Sequence, residues 1–206
     1  TGASTGIGRA CVEMLIDAGF FVFGSVRREE DALLLHESFG EDCAALLFDV
    51  VDDTAIDAAA QHVAARLNGA TLAGIVNKAG VAFPGPLLHL PIEDFRRQIA
   101  INLTGALNTH HVILPGMAAR KSGRVINIAS DAARVGSSGE AVYAACKAGL
   151  LGFSKTLARE HSRHGISINV VCPGPTDTAL FQEFRKGAKN PEKLDEAFRR
   201  SVPMGR

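Results

Sequence analysis

The residues most able to do chemistry are Tyr143 and Lys147, which stand four residues apart. On a helix this spacing places both side chains on one face, with Cβ atoms roughly 5–6 Å apart. A positive charge beside a phenol favours the phenolate and lowers its pKa from the ordinary value of about 10. Because a proton-transfer group works best near the working pH, the only tyrosine of the chain is predicted to be a general acid/base. The same spacing also occurs on helices by chance.

Ser130 strengthens that prediction because of where it stands. It follows the apolar run 124–129, which has the composition of a strand. The carboxyl end of a strand is where open α/β sheets place their ligands. Ser130 is therefore predicted to hydrogen-bond the same substrate oxygen that Tyr143 protonates.

A glycine-rich loop opens the chain, with Gly2, Gly6 and Gly8 leading into an apolar segment. Glycines allow the backbone to approach a ligand closely, and the amino end of a helix attracts phosphate. The spacing is a variant of the dinucleotide fingerprint. A plain glycine-rich turn is the alternative.

Such a loop needs a strand before it, but the sequence begins at the loop itself. The first strand is thus expected to be missing, and it would normally lie at the centre of the sheet. The sequence stops at 203–206, before an expected helix and last strand, so the chain is interpreted as a piece of a longer enzyme.

Two arginines bear on cofactor choice. The predicted strand 20–25 leads into Arg27 and Arg28, with no carboxylate at position 26 to bind a ribose 2′-hydroxyl. Arginines pair well with a 2′-phosphate, which favours NADP over NAD. The alternative is two solvated side chains. After the strand 44–48, Asp49 and Val50 are placed to contact the adenine.

The rest of the chain alternates between strand and helix patterns. Strands are predicted at 72–76, 124–128 and 167–171, and the main helices at 53–67, 92–118 and from Tyr143 to about His164. A proline-rich loop covers 83–91. The polar segment 179–200 is helical in parts, with a break near Asn190, and 175–206 is interpreted as a mobile substrate lid. This order predicts an α/β fold with one parallel sheet covered on both faces.

Composition excludes several function classes. The 206 residues are 47% apolar, enough for one core, and 22 basic residues balance 22 acidic ones. This balance argues against nucleic acid or an anionic membrane as partner. No apolar run approaches the ~20 residues of a membrane span, and no secretory signal is visible. Four scattered cysteines without a C-x-x-C pair indicate reduced thiols and a cytoplasmic protein, and the histidines lack metal-ligand spacing.

Taken in order, these motifs identify a family. The chain resembles the single-domain branch of the short-chain dehydrogenase/reductases over essentially its whole length. That resemblance implies a Rossmann-type, doubly wound parallel sheet and reversible hydride transfer between a nicotinamide and an alcohol/carbonyl pair. The motifs that carry it are Thr1-Gly2-x-x-x-Gly6-Ile7-Gly8, Asp49-Val50, Asn77-x-Ala79-Gly80, Asn102, Ser130, Tyr143-x-x-x-Lys147 and Pro173-Gly174-x-x-x-Thr178.

The resemblance also implies roles. Tyr143 would be the acid/base, Lys147 would tune it and hold the nicotinamide ribose, and Asn102 would position a water linking Lys147 to solvent. Thr176 and Thr178 would contact the carboxamide. Family members are usually dimers or tetramers. The full set of expected cofactor contacts is Gly2, Ser4, Thr5, Gly6, Ile7, Gly8, Arg27, Arg28, Asp49, Val50, Asn77, Ala79, Gly80, Tyr143, Lys147, Pro173, Gly174, Thr176 and Thr178.

One departure stands inside a motif: position 78 is Lys where the family usually has Asn. The segments 130–136 and 173–178 look like members that act on hydroxyacyl-CoA thioesters, which implies NAD. The segment 19–28 looks like retinol or steroid dehydrogenases. The substrate is therefore predicted only as a secondary alcohol or ketone.

Two other functions compete. A non-catalytic dinucleotide-binding protein, sensing redox state or acting as a scaffold, does not require Tyr143. An epimerase or dehydratase also uses Tyr-x-x-x-Lys, but normally has other glycine spacing and a larger C-terminal substrate domain.

Overall fold

The computed structural model of the protein describes residues 1–188, 190–202 and 204, with only the backbone at 201. Strands and helices alternate along the chain, as the sequence pattern predicts. The five described strands are β1 Val22–Val26, β2 Cys43–Leu47, β3 Gly74–Asn77, β4 Gly123–Ile128 and β5 Ile166–Val171. The helices are α1 Gly6–Asp17, α2 Glu29–Phe39, α3 Asp53–Leu67, α4 Ile92–Ile99, α5 Gly105–Ala119, α6 Ala132–Val135, α7 Ala141–His161, α8 Ala179–Gly187 and α9 Pro191–Ser201.

Most predicted elements are present, with shifted ends. The strand predicted at 20–25 begins two residues later, at Val22, because Phe20 closes a turn by donating its backbone N–H to the Leu15 carbonyl. The predicted helix 92–118 contains a π-helical segment, Ala100–Thr104, between α4 and α5. The Tyr143 helix ends at His161 and continues as a short 3-10 turn.

The strands are parallel, but they do not form the single predicted sheet. Strand β1 pairs with β2, while β3, β4 and β5 form a separate sheet in that order. Backbone hydrogen bonds of residues 1–3 bridge the two sheets: the Thr1 amino group donates to the Val76 carbonyl (2.6 Å) and Ala3 N–H to the Ser25 carbonyl (2.9 Å). The predicted α/β class with parallel strands is confirmed, and its described strands form two sheets because no ladder pairs β1 with β3.

A cavity of about 750 Å³ lies between the two sheets. Residues of β1 and β3 line it together with apolar side chains of α1, α3 and α5, such as Val12, Val63 and Ile113.

Two separate cores hold the sheets to their helices. Leu35 of α2 and Val12 of α1 pack with β1 and β2 around Val22 and Val26. Met117 of α5, which is fully buried, packs with Val125, Ile166 and neighbouring apolar residues of β4 and β5. The second core fixes β4, whose carboxyl end carries Ser130, against the helices that carry the other candidate site residues.

The predicted lid region is helical on both sides of its break. Asn190 caps α9 by accepting from the Lys193 N–H (2.9 Å), which explains the break that the sequence indicates. Residues 189, 203, 205 and 206 of the predicted lid lie outside the described residues. Within the described part of the chain, no helix is long and apolar enough to cross a membrane.

Candidate active site

The glycines of the opening loop are required by geometry. Gly2 and Gly6 adopt φ values of +68° and +54°, which side chains rarely tolerate. A Cβ at Gly8 would lie 2.0 Å from the carbonyl oxygen of Gly2. The loop therefore folds tightly and leads into α1 at Gly6. Its cap residue Thr5 makes no side-chain hydrogen bond, so helix N–H groups are left for an anion.

Thr1 and Ser25 join this loop to the strand ends. The Thr1 hydroxyl oxygen accepts from the backbone N–H groups of Lys78 and Ala79, both at 3.1 Å. The Ser25 hydroxyl oxygen accepts from Gly2 N–H at 3.2 Å. The sequence analysis missed the anchoring role of Ser25, although its place near the end of a predicted strand was the available signal. The predicted loop and Asn77-x-Ala79-Gly80 motifs are thus brought together.

Lys147 is anchored to β4, the strand that precedes Ser130. It is buried, at 4% exposure, and its ammonium donates to the Ile128 carbonyl at 2.9 Å. The same ammonium lies 5.7 Å from the ring centre of Tyr143. The predicted one-face arrangement of Tyr143 and Lys147 on α7 is confirmed.

Asn102, in the π-helical segment, lies near Lys147 beside Gly80. Its side chain accepts from Val81 N–H (3.0 Å) and donates to the Val81 carbonyl (2.8 Å). A Cβ placed on Gly80 would meet the Asn102 side-chain oxygen at 2.7 Å and the Lys147 ammonium at 3.4 Å. Gly80 is thus the contact point of Asn102 and Lys147. The water that Asn102 is expected to hold stays a prediction.

Burial, more than charge, governs the proton affinities here. Burial, helped by the nearby Lys78 and opposed by Cys146, lowers the pKa of Lys147 to about 8. Burial also raises the pKa of Tyr143, against a hydrogen bond with Ser130, while Glu140 adds to the rise. The predicted lowering of the Tyr143 pKa is therefore wrong for this structure, since desolvation of the phenolate outweighs the hydrogen bond with Ser130.

The turn after β5 closes the site from the other side. The Pro173 carbonyl accepts from Asp131 N–H at 2.9 Å, next to Ser130. Thr178 caps α8 and lies against Gly6, where an added Cβ would meet its side chain at 3.3 Å. Pro173 and Thr178 thus lie beside Ser130 and the glycine loop. Thr176 is exposed and donates to the Gly174 carbonyl at 3.0 Å, so it faces its own turn.

The two arginines after β1 are used differently. Arg28 donates through two nitrogens to the two carboxylate oxygens of Asp31 in α2, each at 2.9 Å. These two bonds occupy the guanidinium fork of Arg28. Arg27 makes one longer ion pair with Asp49, at 3.9 Å, between half-exposed side chains. The structure therefore leaves Arg27 more available for a phosphate than Arg28.

Val50 and Lys78 each pack against a glycine of a neighbouring segment. Val50 is buried against Gly105, where a Cβ would meet it at 2.6 Å, so it packs and does not face an open cleft. Lys78 lines the cavity between the sheets and passes under Gly8. Burial lowers its pKa, and within the described residues no carboxylate pairs with it.

Comparison with known proteins agrees with this geometry. The chain is 35% identical over 191 residues to 3-oxoacyl-(acyl-carrier-protein) reductase of Escherichia coli (strain K12), covering 91% of the chain and 78% of the relative. It is 33% identical over 197 residues to NADPH-dependent 3-dehydrocapnine reductase of Ornithobacterium rhinotracheale, covering 94% of the chain and 69% of the relative.

A solved structure of a variant of actinorhodin polyketide ketoreductase with NADPH matches with a TM-score of 0.91 and 31% identity, covering 100% of this chain and 82% of that one. The short chain dehydrogenase family matches residues 1–189. The resemblance inferred from the motifs is thereby confirmed, and the chain belongs to the short-chain dehydrogenase family.

Proposed function

We propose that this protein is an NADPH-dependent oxidoreductase that interconverts a ketone and a secondary alcohol, with Tyr143 as the general acid/base. The observation that carries the proposal is the convergence of Ser130, Tyr143, Lys147 and Asn102 beside the tight loop at Gly2–Gly8. Binding a dinucleotide alone would not require Tyr143.

Each residue has a part in the reduction of a ketone. The Tyr143 hydroxyl donates its proton to the carbonyl oxygen, and Ser130 hydrogen-bonds that oxygen and holds it in place. Lys147 stays largely protonated near neutral pH, since its pKa is about 8, and its charge favours the phenolate that remains. The reduced nicotinamide, when bound, supplies the hydride. Reversing these steps oxidises the alcohol.

The proposed cofactor residues divide into three groups. The α1 amino end and the glycine loop would hold the diphosphate, with Ser4, Thr5 and Ile7 in the first turn. Arg27 would pair with the 2′-phosphate of NADPH, and Asp49 would lie near the adenine. The remaining contacts are assigned to Asn77, Ala79, Gly80, Pro173, Gly174, Thr176 and Thr178. The NADPH named for two relatives supports this choice over NAD.

The substrate class is proposed from the same relatives. The names of the similar reductases include 3-oxoacyl groups and a polyketide. We assign small ketones of the 3-oxoacyl type as the first compounds to test. A second copy of the chain is proposed as partner, in a homodimer or homotetramer.

The test is a panel of ketones with NADPH and NADH, run on the unmodified protein and on Tyr143→Phe. The phenylalanine keeps the ring but cannot give a proton, so kcat should fall by about 10²–10⁴ while the Kd of NADPH changes little. Undiminished turnover in Tyr143→Phe contradicts the proposed mechanism. NADPH binding without turnover of any ketone or alcohol would favour the non-catalytic alternative.

A further inference from the structure

Five buried polar side chains form a connected network behind the candidate active site. They are at most 4% exposed and come from β3, β4, α5 and α7: Asn77, Thr109, His110, Asn127 and Ser154. Buried polar groups are costly unless paired, so a cluster of five in contact needs a reason. Asn77 is proposed above as a cofactor contact, but the proposed mechanism uses none of the other four.

Asn127 is the centre of this network. Its side-chain nitrogen donates to the Ser154 hydroxyl (2.8 Å) and to Nε2 of His110 (3.2 Å). Its side-chain oxygen accepts from Asn77 (3.0 Å), its neighbour in the parallel pairing of β3 with β4. All the donors of the Asn127 amide are therefore used, and they join two strands to two helices.

His110 must be neutral, with its proton on Nδ1, for these bonds to form. Nδ1 is bonded to the Ala106 carbonyl, one turn earlier on α5, so it carries the hydrogen. Nε2 then presents a lone pair to the Asn127 amide. Packing agrees, since the ring of Phe153 lies edge-on to His110 with centroids 5.0 Å apart. With Nδ1 protonated, the Asn77 amide nitrogen 3.4 Å away contacts this atom without bonding to it, and among the described residues no titratable side chain bonds to His110.

The network is attached to the same strand and helix that hold Lys147. Asn127 immediately precedes Ile128, whose carbonyl accepts from the Lys147 ammonium. Ser154 lies seven residues after Lys147 on α7, two turns along the same face. On the other side, α5 carries His110 and directly continues the π-helical segment of Asn102.

We infer that His110 is a positioning residue: through Asn127 and Ser154 it fixes α7 and α5 against β4 and so sets the place of Lys147 beneath Tyr143. This inference rests on the proposed function only for its kinetic consequence. The placement of Lys147 itself follows from the hydrogen bonds of Asn127 and Lys147 described above.

The test compares His110→Phe, which keeps a ring but offers no acceptor, with His110→Gln, which restores an acceptor near the position of Nε2. His111→Gln is the matched control, because His111 is the adjacent residue and is exposed. With a ketone substrate, His110→Phe should lower kcat about tenfold with an unchanged KM for NADPH. The reason is that a small displacement of Lys147 from Tyr143 lowers the rate of the chemical step. His110→Gln should recover most of kcat, and His111→Gln should match the unmodified protein.

A second readout needs no substrate. Tyr143 is the only tyrosine and the chain has no tryptophan, so the tyrosine signal in near-ultraviolet circular dichroism reports the surroundings of this one phenol. At neutral pH Lys147 is largely charged, since its pKa is about 8, and its ammonium lies 5.7 Å from the centre of the Tyr143 ring. His110→Phe should weaken the tyrosine signal at neutral pH, because α7 and the ammonium are held less firmly beside the ring, and His110→Gln should restore it.

The two readouts separate the possible failures. An unchanged tyrosine circular dichroism signal in a folded His110→Phe protein overturns the inference, whatever the enzyme activity. Equal impairment of His110→Gln and His110→Phe also overturns it, because an acceptor would then be irrelevant. A weakened tyrosine signal in His110→Phe, restored in His110→Gln, without turnover of any ketone supports the inference and contradicts the proposed function. If His110→Phe does not fold, Ser154→Ala replaces it and is expected to weaken the signal by less.

Discussion

Arg27→Ala is predicted to weaken NADPH binding while leaving NADH binding nearly unchanged. Arg27 is tied only by the 3.9 Å ion pair with Asp49, in which its side chain is 57% exposed. Exposed pairs of this kind contribute about 0–1 kcal/mol, so little is lost by redirecting Arg27 to a ligand. A hydrogen bond between a guanidinium and a phosphate contributes about 1.5–3 kcal/mol. The Kd of NADPH should therefore rise roughly 10- to 150-fold.

The assay is direct titration of each reduced cofactor, followed by nicotinamide fluorescence. The chain has no tryptophan, so no indole emission overlaps the signal. The matched control is Arg28→Ala. Because the Arg28 fork is occupied by two 2.9 Å bonds to Asp31, its loss should lower the melting temperature more than the affinity for NADPH.

Salt provides an internal check on the same variant. The difference between unmodified protein and Arg27→Ala should shrink as ionic strength rises, since exposed charges are screened within about 10 Å at 0.1 M salt. Equal losses for NADPH and NADH would refute the assignment of Arg27 to the 2′-phosphate. A larger NADPH loss in Arg28→Ala than in Arg27→Ala would refute the argument from the occupied fork.

Three further predictions follow from burial and backbone geometry. Met117→Ala should lower the free energy of unfolding in urea by about 2–5 kcal/mol, because Met117 is fully buried, whereas Met14→Ala, at a 72% exposed position, should change it by less than about 0.5 kcal/mol. Burial lowers the pKa of His110 below its unfolded value of 6.5, although a bond to Ala106 opposes this. Because the unfolded state then binds more protons than the folded state, the free energy of unfolding should fall as the pH drops below about 6.5. The fall should be smaller in His110→Gln, which has no imidazole to protonate. Gly8→Ala should abolish NADPH binding by collision with the Gly2 carbonyl, while Gly152→Ala, at an open helical position, should bind NADPH normally and gain about 0.5–1 kcal/mol of stability. An unchanged NADPH affinity in Gly8→Ala would contradict the assigned phosphate loop.

The sequence alone determined the order of elements and the residue types of the site. The glycine loop, Ser130 and the Tyr143–Lys147 spacing are local patterns, and each depends on a strand end or a helix face that short segments already specify. For this reason α3 was predicted with the bounds it has, and the predicted break near Asn190 coincides with the cap of α9. The family could also be identified from these motifs.

Tertiary structure decided what depends on contacts between distant segments. Arg27 pairs with Asp49, which follows β2, and only the fold brings these two side chains together. The pKa of Tyr143 rises because neighbouring elements exclude water from the phenol, an effect that spacing to Lys147 does not contain. The network of His110 and Asn127 joins residues from four elements, so no local pattern could have predicted it. Burial and long-range pairing set these properties, and both exist only once the chain has folded.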